Sequence, residues 1–280
     1  MSVDTTNSNS LIETKVSEMF VEPLRAASVI LNAPGVTVEG SSTPIKFPKL
    51  SGNANAGFIG ENEKIPDDGD TLDFGELTLM PTDLKAVKTI IRVSNELIRM
   101  ARTSVSTVLQ NKVVGDVRDT LDLALLNGDG EDNTITGLLN SGIETAPFSP
   151  IDPDTVMDGL AFMSGNEATP TRIYMSGADF FTMRKLKDGD GRYMLQADVS
   201  SGARYSLHGI PVTVTNKLPA GKVLLGNMSD LVVVRDLDPT VTILTERYAD
   251  YDQTGIRVVA RYDQGVLRDE SFLILDSESV

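Results

Sequence analysis

Apolar residues recur at steps of three and four from Leu97 through Ala101, Val105, Val108, Leu109, Val113, Val117 and Leu121 to Leu125. Such spacing draws one stripe along a helix, while Gln110, Lys112, Asp116, Arg118 and Asp119 occupy the other faces. The pattern predicts the longest helix of the chain. A break at Arg102–Ser104, where Thr103 or Ser104 can act as a cap, divides it. From there to Leu126 is about 23 residues, roughly 34 Å at 1.5 Å per residue. Asn127-Gly128 is predicted to stop the helix through a left-handed glycine, with turns to follow at Asp129-Gly130 and Gly137. A long rod with one dry side is a spine on which other elements must pack.

Elsewhere the period drops to two. Ile45-Lys46-Phe47, Leu72-Asp73-Phe74 and Leu77-Thr78-Leu79 alternate as strands do. The run between them is rich in Gly, Asn, Asp and Glu, which predicts a hairpin with a long polar tip. An isolated hairpin is marginal in water and needs a partner surface, in this chain or another. Residues 11–33 carry too few apolar positions (Leu11, Ile12, Val16, Met19, Phe20) to build a core and read as an arm lying across something else. Beyond a Pro/Asp linker at Ser149–Asp154, a helix is predicted from Asp154 to about Ser164, with Val156, Met157, Leu160, Ala161 and Met163 inward. A strand at Arg172–Met175 follows. Ser176 then caps a helix over Ala178–Leu186, with Asp179 completing a variant capping box. Residues 186–196 read as a tight turn into a strand, and Ile210–Thr215 as another strand. Together these make a compact α/β unit. From Gly221 the chain reads as strands at Val223–Leu225, Leu231–Val234, Val241–Thr245, Ile256–Tyr262 and Val266–Leu275. They suggest an antiparallel meander whose last two members are joined by a hairpin turn at Asp263-Gln264-Gly265. Such a sheet can cover the stripe of the spine, with the α/β unit inserted between.

Composition narrows the chemistry. The chain has no cysteine, which excludes disulfides, thiolate metal sites and cysteine nucleophiles. No apolar run approaches the roughly 18–20 residues of a membrane span, and the N-terminus lacks the basic-then-apolar order of a secretory signal. The single histidine, His208, has no companion motif for a triad. Gly128-Asp129-Gly130 follows a helix rather than a strand and is no dinucleotide fingerprint. Neither Asp188-Gly189-Asp190 nor Asp129-Gly130-Glu131 fits a twelve-residue calcium loop. The reading is therefore no enzyme, no metal and no cofactor.

Net charge is −15. This argues against a protein that grips DNA with a basic face; it fits an ordinary soluble, self-repelling surface first, and would also suit a wall that faces nucleic acid without sticking. The charge is unevenly spread. Residues 61–76 hold Glu61, Glu63, Asp67, Asp68, Asp70, Asp73 and Glu76 against Lys64 alone. Residues 85–102 hold Lys85, Lys88, Arg92, Arg99 and Arg102 against Glu96. An acidic hairpin tip and a basic entry to the spine are complementary, or the two blocks are solvated faces of one domain; on the first reading Glu61, Glu63, Asp67, Asp68, Asp70, Asp73, Lys85, Lys88, Arg92, Arg99 and Arg102 are the candidates for contact between subunits.

Three motifs in order carry a resemblance. The helix ends Ala124-Leu-Leu-Asn-Gly-Asp-Gly130, followed by Thr136-Gly-Leu-Leu139. Leu186-Lys-Asp188 and Gly191-Arg-Tyr193 precede Leu207-His-Gly-Ile-Pro-Val212, and Val93-Ser-Asn-Glu-Leu97 opens the spine. With this order and spacing over about residues 20–276, the chain resembles the major capsid proteins of tailed bacteriophages, of the HK-ninety-seven-type fold. The resemblance implies an α+β chain with an N-terminal arm (1–43), an extended E-loop hairpin (44–80) and a peripheral domain with the spine helix (81–147). An axial domain (148–218) and a β-rich return to the peripheral domain (219–280) complete it. It implies hexamers and pentamers that form an icosahedral head shell around phage double-stranded DNA. Assembly takes place in the host cytoplasm, and scaffolding, portal and cement proteins are potential partners. The stretch before the arm is too short for a built-in scaffold, so any scaffold is expected to be a separate protein. Some members cross-link an E-loop lysine to an asparagine with help from a glutamate. Lys64 lies on the corresponding loop, but Gly255–Arg261 contains neither partner, so a non-covalent shell is expected. An encapsulin-type compartment, with the same fold around cargo enzymes, is the alternative; its aromatic-bearing N-terminal helix is not evident in residues 1–20.

Overall fold

The computed structural model describes residues 24, 27–41, 43–51, 73–79, 85–96, 105–131, 134–187, 190, 205–236, 240–244 and 246–279. Four strands come first: β1 (Thr37–Gly40), β2 (Ile45–Ser51), β3 (Asp73–Leu79) and β4 (Ala86–Ser94). Helix α1 (Val105–Asn127) follows, then β5 (Thr145–Pro147), α2 (Asp154–Gly165), β6 (Arg172–Met175), α3 (Gly177–Arg184), β7 (Ser206–Leu207) and β8 (Ile210–Val214). The chain closes with β9 (Lys222–Gly226), β10 (Leu231–Arg235), β11 (Thr240–Leu244), β12 (Gln253–Val266) and β13 (Phe272–Asp276).

Two sheets sandwich the spine. The second sheet runs β5-β13-β9-β6-β8-β7. Alternation sends Ile173, Met175, Val223, Leu225, Leu273 and Leu275 to one face, against Val156 and Met163 of α2 and Phe180 and Met183 of α3. Tyr174, Leu224, Phe272 and Ile274 point the other way, into the core that holds Val113, Val117, Leu121 and Leu125 of α1. The first sheet, β1-β10-β12-β11 with β4 on the opposite edge of β12, closes that core through Leu231, Val233, Val258, Ala260 and Tyr262. Residues Leu24, Ile30 and Leu31 pack into the same core. On the outer side of the first sheet, the β2–β3 hairpin seats Leu79 on Val232 and Val234.

Several expectations are corrected. The meander does not form, because β9 and β13 belong to the second sheet while β10, β11 and β12 belong to the first. Asp263-Gln264-Gly265 is not a turn. β12 runs straight through it, paired with Val232–Val234, because the Gln264 side chain is taken into the core. Residues 86–94, read only as a basic approach to the spine, form β4 and pair along Gln253–Arg261. In α2, Met157 and Ala161 face outward, and Gly159 meets the sheet with Val156 and Met163. The spine helix ends at Asn127, as expected, and Ser176 caps α3 with Asp179, while the break expected at Arg102–Ser104 lies outside the described residues. Most of the turn expected at 186–196 lies outside the described residues.

Candidate subunit interface

The end of the spine is tied down at three points. Gly128 N–H donates to Ala124 O at 2.9 Å, and Gly137 N–H to Gly128 O at 2.9 Å. Asn140 Nδ2 donates to Gly128 O at 2.8 Å. From β12, Gln264 Nε2 reaches across to donate to Leu125 O at 2.6 Å and Thr136 O at 2.9 Å. The last carbonyls of a helix have no partner of their own, so Gln264 supplies one and locks the spine to the first sheet. The glycine at 128 serves close approach, not handedness: a Cβ there would lie 2.0 Å from Ile135 O. Left-handed backbone falls instead at Gly130, φ 76°.

At mid-helix, Asp122 is buried and holds the segment before β1. Ser28 Oγ donates to its Oδ1 at 2.5 Å and Val29 N–H to its Oδ2 at 3.0 Å. Burial pushes the carboxyl up, against the pull of hydrogen bonds from Ser28, Val29 and Ile30 and the charge of Arg118.

The outer face of the first sheet gathers cations. Residues alternate along β4, so Lys88, Ile90 and Arg92 are exposed while Val93 is buried. Directly paired residues share a face, which sets Arg257 beside Ile90, Gly255 beside Arg92 and Arg261 beside Ala86. Tyr248 lies over Gly255, where a Cβ would come within 2.8 Å of its ring. Arg92 Cζ stands 4.6 Å from the ring centroid and Arg247 Cζ 5.8 Å. Cations at such distances are attracted to the ring face. Arg257 leans on Thr242 Oγ1 at 3.5 Å. Two neighbouring cations are paired within the chain: Arg261 with Asp236 at 3.1 Å, and Lys85 with Asp263 at 3.7 Å.

Of the expected contact residues, Lys88 and Arg92 thus share one exposed face, and Lys85 is turned inward to Asp263. Asp73 opens β3. Glu61, Glu63, Asp67, Asp68, Asp70, Arg99 and Arg102 lie outside the described residues. Arg247, Tyr248 and Arg257 were not anticipated; reading β4 and β12 as paired strands would have found Arg257.

His208 is exposed and forms, with Gly209, the left-handed pair (φ 51° and 82°) that turns β7 into β8, as a two-residue hairpin loop requires. Asp129 Oδ1 accepts from the N–H of Glu131 at 3.1 Å and from the Thr134 hydroxyl, which is turn chemistry. No group of three or more metal-binding side chains occurs among the described residues.

The profile of the Phage capsid family matches residues 9–277. The chain belongs to the phage capsid family. The major capsid protein of Klebsiella oxytoca phage phiKO2 is 23% identical to it over 94% of this chain and 67% of that protein. The major capsid protein of Halomonas phage phiHAP-1 is 30% identical over 46% of this chain and only 21% of its own length. Among solved structures, Microbacterium phage Oxtober96 superposes with a TM-score of 0.68 at 17% identity, covering 89% of this chain and 90% of that one. The capsid of an empty GTA particle, with C5 symmetry, gives 0.67 at 17% identity, covering 86% and 87%. At such identity the likeness shows the fold, which is the α+β, HK-ninety-seven-type capsid fold. This capsid protein is a structural, shell-forming component of a virion capsid and not an enzyme.

Proposed function

We propose that this capsid protein assembles as hexamers and pentamers into an icosahedral head shell that encloses double-stranded phage DNA. The observation that carries this reading is the family match along nearly the whole chain. Assembly takes place in the host cytoplasm; a portal and separate scaffolding or cement proteins are its prospective partners. Residues 1–43 act as the N-terminal arm, 44–80 as the E-loop hairpin, 81–147 and 219–280 as the peripheral domain, and 148–218 as the axial domain. The hairpin reaches a neighbour, and its acids (Glu61, Glu63, Asp67, Asp68, Asp70, Asp73) meet the neighbour's basic residues on and around β4, including Lys88, Arg92, Arg99 and Arg102. The net charge of −15 keeps the wall from adhering to packaged DNA. Contacts between subunits are non-covalent, because the late strand Gly255–Arg261 offers no asparagine or glutamate to a cross-link at Lys64.

The test is the content and chemistry of particles purified from infected or expressing cells. Nuclease-protected double-stranded DNA inside virions, and a single-chain band after boiling in detergent, are expected. A co-purifying cargo enzyme in place of DNA would favour the compartment reading, and a heat-resistant oligomer ladder would contradict the non-covalent one.

A further inference from the structure

We infer that residues 24–33 form a plug that a proton on Asp122 keeps seated on the spine, and that the plug swings out about Gly35, with the rest of the fold in place, as that proton is lost. The inference goes beyond the shell reading above and does not depend on it.

The plug is held by apolar contact and by a single polar tie. Leu24, Ile30 and Leu31 are buried in the core that holds Leu121 and Leu125. Among the described residues, every hydrogen bond between residues 24–36 and the chain after them ends on the Asp122 carboxyl. Three consecutive residues supply the donors: the Ser28 hydroxyl and the N–H groups of Val29 and Ile30. Successive N–H groups of this kind form a concave cradle for an anion. The segment's remaining bonds are internal. Ser28 N–H donates to Leu24 O at 3.0 Å, Leu31 N–H to Ser28 Oγ at 3.1 Å and Ala33 N–H to Ile30 O at 3.0 Å. It can therefore leave its seat as one unit, with its own backbone still satisfied.

The hinge is set by Gly35, in left-handed backbone at φ 98°, where a Cβ would meet Ser229 Oγ at 2.8 Å. Two residues later β1 begins and pairs with β10, so the first sheet keeps its edge when the plug moves.

The seat is sensitive to charge because Asp122 is only 1% exposed. The elements packed around it bring few ionisable groups. Arg118 stands one turn earlier on the spine and is itself paired with Asp119 at 2.8 Å. Tyr174 of β6 is kept neutral by burial, and residues 27–33 carry no ionisable side chain. Burial opposes the ionised carboxyl more strongly than the hydrogen bonds and Arg118 favour it, so the seated group ionises at higher pH than a free aspartate. The hold is complete below about pH 4, where the seated and the released carboxyl are both protonated. It is lost as pH rises through the seated value, because an ionised Asp122 gains water when the plug departs.

Hydrogen exchange of the full chain, read by mass spectrometry as protection relative to the intrinsic rate at each pH, tests this. Protection of residues 28–31 should fall about threefold or more between pH 4 and 8, since each unit by which ionisation is displaced is worth a factor of ten. Residues 113–125 of the spine should keep theirs. Asp122→Asn should abolish the pH dependence. Ser28→Ala retains the carboxyl but removes a hydrogen bond that favours its ionised form, so the fall should move to higher pH. Arg118→Gln should move it the same way, and these two variants decide the matter if Asp122→Asn does not fold. Flat protection in the wild type would overturn the proposal. So would a parallel loss along the spine, which would make the opening global, or a fall moved to lower pH in Ser28→Ala.

Discussion

Single residues decide how the spine is held. Replacing Gln264 with Leu keeps the volume but leaves the buried carbonyls of Leu125 and Thr136 short of a donor, and should cost about 2 kcal/mol in denaturant unfolding. Gly128→Ala forces a methyl group onto Ile135 O and Ala124 O, both backbone atoms that cannot swing aside. It should cost about 3 kcal/mol, near the top of the usual range for one substitution. Asp122 carries a pH signature. Burial holds its folded pKa above that of a free aspartate, so the folded state favours the protonated carboxyl. Its contribution is fully present below about pH 4, the unfolded range, and is lost as pH rises through the raised folded value. Wild type should therefore lose ground to Asp122→Asn as pH climbs from about 4 to 7, tracked by melting temperature. A difference independent of pH would contradict the raised value. None of these three contacts was legible from spacing. The sequence showed a glycine at 128 but not the carbonyl of residue 135 lying against it. Asp122 stood beside Leu121 like any solvent-facing acid, and its partners lie 93 and 94 residues away.

Elements were more legible where their own periodicity sufficed. The spine, the β2–β3 hairpin, α2, β6 and the capped α3 follow from local pattern and capping chemistry. The failures share one cause, that partner strands override local preference. Asp-Gln-Gly has the composition of a tight turn, yet pairing with β10 on one strand edge and the buried Gln264 keep β12 extended for 14 residues. β4 alternates well, but exposed Ile90 blurs its pattern and the run leads directly into the helical Asn95-Glu96. As a result the basic residues were counted as an approach to a helix. Their partners in the face, Arg247 and Arg257, come from more than 150 residues later. The same element-level argument gives a prediction for the late strand. With no asparagine or glutamate in Gly255–Arg261, boiling purified particles in detergent should return one band of single-chain size even after prolonged ageing.

For the whole molecule, two sheets around one helix make a unit whose apolar core is closed by its own chain, while its charge is not balanced locally. Under the proposed function, the acids that lie between β2 and β3 in the sequence and the cations on β4 are partners between copies, which suits a self-assembling wall. Exposed pairs of this kind weaken with salt, because screening acts within about 8 Å at physiological ionic strength. Assembly should accordingly slow or fail as salt is raised to 1 M, checked by sedimentation velocity. The central claim is that this chain builds a closed shell. Negative-stain microscopy of the chain expressed alone, beside its size-exclusion profile, tests it most directly. Closed particles, or rings of five and six subunits, are the predicted result. A monodisperse monomer of 30.2 kDa that persists at high concentration, and also when a scaffolding partner is co-expressed, would contradict it.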